Sequence, residues 1–495
     1  MSCVSANQSV VTKGLSEAIG RCAHNTIADN YNRRRNNPFT TFYSRYSVRT
    51  ITWNLQSGQC RSDLRPLLGI DGLHTDTTAA GDQPLADVYA IGLQELCARE
   101  LSDQFVDSWT PEFDRLFTGL DYVRLKRHRF ADASLVVYTR RQLLPHFRAV
   151  EAHSRRSESP PNKAVAIGLT VDGVSVCIVN THLTPHEQNT EKRVDNYNEI
   201  IADLCFTGRK SADILSHDYV LWMGDLNFRI DELTGDEIHD ISVKTSSGTV
   251  NRFAPLLAKD QLNRVRLEGR AFSEFSESEP TFAPTYKFFI DTSDYDYKDP
   301  VRPRKPAFTD RILYRFTANA YENTTLDLQQ LNYTSHPQYK QSDHKPVSAL
   351  FHLKTRPFVS GQTYVTFAPI ANWRVNRDFT AWFTITPADD SAIDTLSASD
   401  FIGLYKSDFI SIDDRLLYVG ANPVPTRWSP PGQSGDHSDN NNGQSVDTRT
   451  AANSEPWFLV HFSEQTLSTA DRFRLVYVTQ TGDVLGVSDQ FVVTH

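Results

Sequence analysis

Tyr219-Val-Leu-Trp-Met-Gly-Asp-Leu-Asn-Phe-Arg229 is the stretch on which the reading of this chain turns. The apolar run Tyr219–Met223 has the length and bulk of a buried strand. Gly224, with no Cβ, then admits the close approach of another group. In extended backbone, residues i and i+2 face one side, so Asp225 and Asn227 can enter one pocket while Leu226 turns to the core. The same Asp-x-Asn also suits a plain turn or helix cap.

On either side, Val48–Trp53, Asp87–Leu93, Ser134–Thr139, Arg311–Tyr314 and Val347–Leu353 read as further buried strands. Ala164–Val171 and Val174–Asn180 flank Asp172-Gly173, a two-residue hairpin signal. Residues 186–206 set Val194, Tyr197, Ile201 and Leu204 at helical spacing, which predicts a helix lying on a sheet. Strands interleaved with helices, plus a hairpin, predict an α/β fold built as a two-sheet sandwich. Pro303 and Pro306 make residues 302–306 a loop.

After Lys354 the text becomes strand-like, with Phe379, Ala381, Phe383 and Ile385 alternating, and Phe473, Leu475 and Tyr477 likewise. This predicts an all-β, immunoglobulin-like sandwich. The expected organisation is a polar lead-in over 1–45, an α/β domain over 46–355 and the β-sandwich over 358–495. A Gly/Ser/Asn/Asp-rich stretch near 430–455 is expected to be a mobile insertion.

With 60 acidic and 51 basic residues in 495, the net charge of −9 argues against a general nucleic-acid binder. No run approaches the roughly 20 apolar residues of a membrane span. Residues 1–30 lack a signal-peptide core. The six cysteines have neither zinc nor thioredoxin spacing, so a reducing, cytoplasmic setting is expected. Against the acidic background stands Arg124-Leu-Lys-Arg-His-Arg-Phe130, with Arg140 and Arg141. An anionic membrane surface attracts such a cluster by about 1 kcal/mol per cation, with Phe130, Phe288 and Phe289 inserting beside it. A charged, solvated strand edge is the alternative.

Polar residues end the apolar runs: Asn54, Glu95, His182, Asp225 with Asn227, and Asp343-His344 before Val347. Taken singly, each is a cap, a turn or a buried core histidine. Together they converge if the strands share a sheet, and a purely structural fold has no reason to end so many strands this way. Carboxylate and amide oxygens without cysteine make a hard site that suits Mg²⁺. There is no glycine-rich phosphate loop with lysine and no Cys-x5-Arg nucleophile, which leaves metal-assisted attack of water on a phosphate ester.

In order along the chain stand Thr52-Trp-Asn-Leu55, Gly92-Leu-Gln-Glu95, Asn180-Thr-His-Leu183, Trp222 to Arg229, Pro284-Thr-Tyr-Lys287, Pro306-Ala-Phe-Thr-Asp-Arg-Ile-Leu313 and Ser342-Asp-His-Lys-Pro346. This series resembles the inositol polyphosphate 5-phosphatases, relatives of metal-dependent endonucleases and sphingomyelinases. The resemblance implies Mg²⁺ at Glu95, with Asn54 beside it directly or through water. It implies Asp225 as the acceptor of the attacking water's proton, and Asn227 holding that water and the phosphoryl group. His344, oriented by Asp310, would contact the scissile phosphate, Asp343 would lie near the metal, and His182 would bond a phosphoryl oxygen. Tyr286, Lys287 and Arg304 match positions that grip the neighbouring 4-phosphate. Asn162 and Lys163 match a 1-phosphate contact whose flanking glycines are absent from Ser159-Pro-Pro-Asn-Lys-Ala164.

Asp400-Phe-Ile-Gly-Leu-Tyr-Lys406 resembles the SKICH domain, which helps to localise some 5-phosphatases to membranes. The implied activity is hydrolysis of the 5-phosphate from phosphoinositides by a cytoplasmic enzyme peripheral at membranes, with a protein partner for the C-terminal domain. A nuclease or sphingomyelinase, and a non-catalytic membrane adaptor, are the rival readings.

Overall fold

The apolar runs pair into two sheets that face each other, because each buries one side and neither can leave it in water. The computed structural model describes residues 45–495 apart from 71–84, 97–98, 102–103, 157–162, 207–212, 245–250, 299–303, 322–324, 356–361, 371–372, 388–396, 422–424, 427–456 and 464–466. Its first strands are β1 (Arg45–Asn54), β2 (Val88–Gln94), β3 (Arg99–Leu101), β4 (Gln104–Val106), β5 (Tyr122–Phe130), β6 (Ala133–Arg140) and β7 (Phe147–Arg156). There follow β8 (Lys163–Val171), β9 (Val174–His182), β10 (Tyr219–Asp225), β11 (Asp310–Phe316), β12 (Leu328–Ser335) and β13 (Val347–Lys354). One sheet runs β12-β13-β1-β2-β6-β5 and the other β11-β10-β9-β8-β7. Within them β1 with β2, and β9 with β10, are parallel.

Between the sheets, Val48, Ala90, Leu135 and Phe351 meet Val165, Ile167, Ile178 and Leu221 in one buried core. The helix Thr190–Asp203 covers the outer face of the second sheet through Val194, Tyr197 and Ile200, packed with Trp222 and Phe272. The helix Thr110–Thr118 covers the first sheet through Phe113 and Phe117, beside Trp53 and Tyr138. The β8–β9 hairpin turns at Asp172 (φ 46°) and Gly173 (φ 76°), both left-handed as a type I′ turn requires.

The C-terminal region is all-β, with Tyr364–Phe367, Phe379–Thr386, Trp457–Phe462 and Pro425–Thr426 in one sheet. A second sheet contains Phe401–Lys406 and Asp471–Val478. Phe383, Ile385, Phe473, Leu475 and Tyr477 fill its own core, as their alternation predicts. The opposite face of strand Asp471–Val478 turns apolar only at Val476 and Val478, and the alternation alone does not reveal what covers them. Val476 and Val478 pack with Val123, Leu144 and Phe409, joining sandwich to α/β domain. Arg148 adds bonds to the carbonyls of Val484 (2.6 Å) and Thr363 (3.1 Å), and the Ala149 N–H donates to Asp483 (2.6 Å).

Four arginines of the basic cluster are engaged in ion pairs within the α/β domain. Arg124 pairs with Asp114, Arg127 with Asp107 (2.7 Å), Arg140 with Asp87 (3.2 Å) and Arg141 with Asp121 (2.7 Å). Arg141 is buried, its guanidinium 4.4 Å from the Phe409 ring. Phe288 is buried and stacked on Tyr295 at 4.3 Å, while Phe289 stays 51% exposed. Residues 1–44 and the 430–455 insertion lie outside the described residues.

Candidate active site

Strand register brings the polar residues to one rim. Asn54 lies opposite Gln94 across β1–β2, and Asp225 opposite His182 across β9–β10. Antiparallel β11 begins with Asp310 opposite Asp225. Because β13 runs antiparallel to β1, Asp343 and His344, just before it, reach the same end. A buried bond from Gln94 Nε2 to Asn180 Oδ1 (2.6 Å) ties the two sheets beneath this rim. Gly224 is required: its φ is 147°, and a Cβ there would sit 2.0 Å from the Thr181 carbonyl oxygen. The close approach expected at this glycine is thus that of the neighbouring strand's backbone. Glu95 (φ 51°) and Asn227 (φ 56°) are held in left-handed backbone, a costly conformation that persists only where the surroundings enforce it.

Asn54 Nδ2 donates to Glu95 Oε1 and to Asp225 Oδ2, each at 3.0 Å. His182 Nε2 lies 3.5 Å from Asp225 Oδ2 and 3.9 Å from Glu95 Oε1. On the other side, His344 Nε2 stands 3.8 Å from Asp225 Oδ2 while its Nδ1 reaches Asp310 Oδ2 at 3.0 Å. Asp310 is fully buried and also accepts from the hydroxyls of Thr285 (2.6 Å) and Thr309 (3.0 Å). Thr285 and Thr309 lie inside motifs recognised in the sequence, but nothing in their residue type marks them as supports. Ser342 Oγ donates to the Asn54 carbonyl (2.6 Å), and Trp53 Nε1 to the His344 carbonyl (3.1 Å), locking the loop to the strand end.

Burial alone would hold the His344 imidazole neutral. The adjacent Asp310 and Asp225 carboxylates outweigh it and push the pKa up to about 10, so the ring is a cation at neutral pH. Burial raises the Asp343 carboxyl, with Glu95 and Asp225 adding to the effect against His344 and Lys287.

The donor set suits a hard divalent cation. Glu95, Asp225, Asp310 and Asp343 crowd two histidines, and Asp343 Oδ1 is buried without a hydrogen-bond partner among the described residues. Ligand atoms of Asp225, Asp310 and His344 all fall within 4.8 Å of one another. Asp310 is already committed to His344 and two hydroxyls, so the Glu95 carboxylate, with its side chain 37% exposed, is the group that opens to the mouth.

The Tyr286 ring packs on the His344 ring at 4.5 Å, which sets Lys287 at the edge of the same pocket. Lys287 pairs with Asp296 (3.0 Å), an ion pair that outweighs burial and raises the lysine pKa. Lys163 lies opposite His182 in register and pairs with Asp132 (2.5 Å). Arg304 reaches His186 Nδ1 at 2.7 Å, and Lys305 pairs with Glu187 (2.7 Å). Arg304 thus stands on the His186 loop. Asn162 lies outside the described residues. No helix among the described residues is long and apolar enough to cross a membrane.

Comparison with known proteins agrees with this geometry. Residues 51–350 match the model of endonuclease/exonuclease/phosphatase family 2, and residues 365–493 match the SKICH domain. Mouse inositol polyphosphate 5-phosphatase K is 32% identical over 396 residues, which cover 75% of this chain and 78% of that protein. Rat phosphatidylinositol 4,5-bisphosphate 5-phosphatase A is 31% identical over 391 residues, 76% of this chain but 37% of that longer protein. The 5-phosphatase domain of a synaptojanin, crystallised with inositol (1,4)-bisphosphate and calcium, superposes with a TM-score of 0.54 at 29% identity. It covers 66% of this chain and 89% of that one. Motif order, shared rim and these matches together place the chain in endonuclease/exonuclease/phosphatase family 2, as a phosphoric monoester hydrolase of the inositol polyphosphate 5-phosphatase group with a C-terminal SKICH domain.

Proposed function

We propose that this enzyme removes the 5-phosphate from phosphoinositides carrying a neighbouring 4-phosphate, phosphatidylinositol 4,5-bisphosphate and 3,4,5-trisphosphate, and also accepts soluble inositol polyphosphates. The carrying observation is the contact between Tyr286 and His344, which sets a phosphate-gripping lysine beside the hydrolytic residues. Mg²⁺ would be held by Glu95 with Asn54, where it would neutralise charge on the phosphoryl oxygens. The Asn54 oxygen accepts the Gln56 N–H at 3.0 Å, which keeps its Nδ2 on Glu95 and Asp225, so Asn54 would act on the ion through water.

In the proposed reaction, Asp225 accepts the proton of the attacking water as the water oxygen bonds to phosphorus, the bond to the inositol oxygen breaks, and that oxygen takes up a proton from solvent to leave as the alcohol. The His344 cation and His182 donate to phosphoryl oxygens as negative charge gathers there. Asp310 keeps the His344 proton on Nδ1 and its other N–H aimed at the substrate. No covalent enzyme intermediate is needed. We assign residues 46–355 to catalysis and 358–495 to targeting. The enzyme would then work in the cytoplasm, peripheral at anionic membranes, with a protein partner for the SKICH domain. Exposed Phe289 and Ile290, beside Lys287, support the membrane placement.

The test is side-by-side hydrolysis of defined lipids and soluble inositol trisphosphate, with and without Mg²⁺. Turnover of the soluble compound alone would overturn the lipid assignment. Cleavage of abasic DNA instead would establish a nuclease. Asp225→Ala should abolish turnover while leaving vesicle binding intact.

A further inference from the structure

Arg229 lies in the motif that supplies Asp225 and Asn227, yet neither the sequence reading nor the reaction above uses it. It is only 5% exposed, and no described carboxylate lies within 4.0 Å of its guanidinium. Its cation is spent elsewhere. Nε donates to the Asn227 carbonyl at 3.0 Å, and Nη2 donates to the Asn227 side-chain oxygen. The guanidinium lies 4.4 Å from the centre of the Tyr286 ring, which packs in turn on His344. Gln261 anchors the Arg229 backbone N–H at 3.0 Å.

These contacts settle which way the Asn227 amide points. A guanidinium only donates, so the atom facing it must be Oδ1. Asn227 Nδ2 gives one of its two N–H groups to the Leu183 carbonyl at 3.0 Å. The oxygen is therefore occupied by a charge-assisted bond, and one N–H remains for whatever enters the pocket. A cation on the amide oxygen also polarises the group and strengthens that remaining donor. Holding the backbone carbonyl as well supports the left-handed conformation at Asn227.

We propose that Arg229 is a positioning residue that commits Asn227 to donate to a phosphoryl oxygen, so that the Asn227 oxygen does not accept a hydrogen bond from the attacking water. This rests on the phosphatase reading above and refines the role expected for Asn227 there.

The test is a double-mutant cycle in the full chain, with Arg229→Gln, Asn227→Ala and the pair, following 5-phosphate release. Arg229→Gln should lower kcat by roughly 10- to 100-fold, and Asn227→Ala by roughly 100-fold or more. In the Asn227→Ala background, adding Arg229→Gln should cost less than about threefold, because the residue acts through Asn227. The midpoints of the pH profile should stay in place, because Asp225 and His344 keep their own hydrogen bonds in these variants. Arg229→Lys, which keeps the cation and one donor, should recover part of kcat, and thermal unfolding reports whether each variant is folded. Equal losses from Arg229→Gln in both backgrounds, or a folded Arg229→Gln enzyme with normal kcat, would overturn the proposal. Should Arg229→Gln not fold, the same cycle with Arg229→Lys decides. A wild-type chain inactive on every inositol phosphate would instead bring down the phosphatase reading itself.

Discussion

Asp310→Asn isolates what one buried carboxylate contributes to the candidate site. Asp310 meets His344 Nδ1 at 3.0 Å and is the foremost of the carboxylates that push the ring's pKa up to about 10 against its own burial. An opposite charge this close is worth roughly one to three pH units, or about 1.4–4 kcal/mol. Asp225 at 3.8 Å and Asp343 at 4.0 Å remain as weaker supports. The imidazolium is the donor to the phosphoryl group, so activity is present below its pKa and lost as pH rises through it. The variant should therefore lose activity at a pH about one to three units lower than wild type. At neutral pH the shifted ring is still largely charged, so the fall in kcat there, up to roughly 10⁴-fold, reads the loss of its orienting carboxylate. Initial rates of phosphate release from pH 5 to 10, at saturating substrate and fixed Mg²⁺, measure both quantities. An alkaline limb that coincides with wild type would show that Asp310 does not control the charge of His344, and a neutral-pH kcat within threefold of wild type that it does not orient the ring.

Three further outcomes follow from the packing. Gly224→Ala places a methyl 2.0 Å from the Thr181 carbonyl at a φ of 147°, and should destabilise the fold by about 3 kcal/mol or more, read as a lower urea midpoint. Arg141→Ala strands the Phe409 and Tyr122 carbonyls it now satisfies and removes its contact with the Phe409 ring. It should cost about 2 kcal/mol and expose the junction between domain and sandwich to limited proteolysis. Burial, with Arg49 nearby, pushes the His336 pKa down to about 4. The unfolded chain, titrating near 6.5, thus takes up a proton that the fold refuses. Stability from this group is complete above pH 6.5 and falls by about 3 kcal/mol towards pH 4, and His336→Gln should flatten that part of a plot of urea midpoint against pH.

Much of the architecture is legible locally. The run Tyr219–Met223 is buried throughout as β10, and Asp172-Gly173 makes the turn its residue types predict. The helix over 190–203 follows from spacing, because a 3.6-residue period and one apolar face are properties of a single segment. The basic cluster shows the limit of such reasoning. A run of arginines reads as a solvated or membrane-facing patch until its partners are known, and Asp114, Asp107, Asp87 and Asp121 come from other parts of the fold. Asp296 beside Lys287 and Asp132 beside Lys163 are equally invisible from the lysines themselves.

From its order of residues alone, the chain determines which segments become strands, where polar groups end them, and that Asp225 and Asn227 can share a side. Those properties depend on neighbours in the chain. Only the tertiary structure decided that Asp310 raises the charge of His344, that Arg229 turns the Asn227 amide, and that Val476 and Val478 bury themselves against Val123 and Leu144. The first and last of these join residues from different segments. Even Arg229 and Asn227, two residues apart, meet only because the fold holds Asn227 in left-handed backbone and stacks the guanidinium on Tyr286; the strength of electrostatic and packing forces depends on such separations in space.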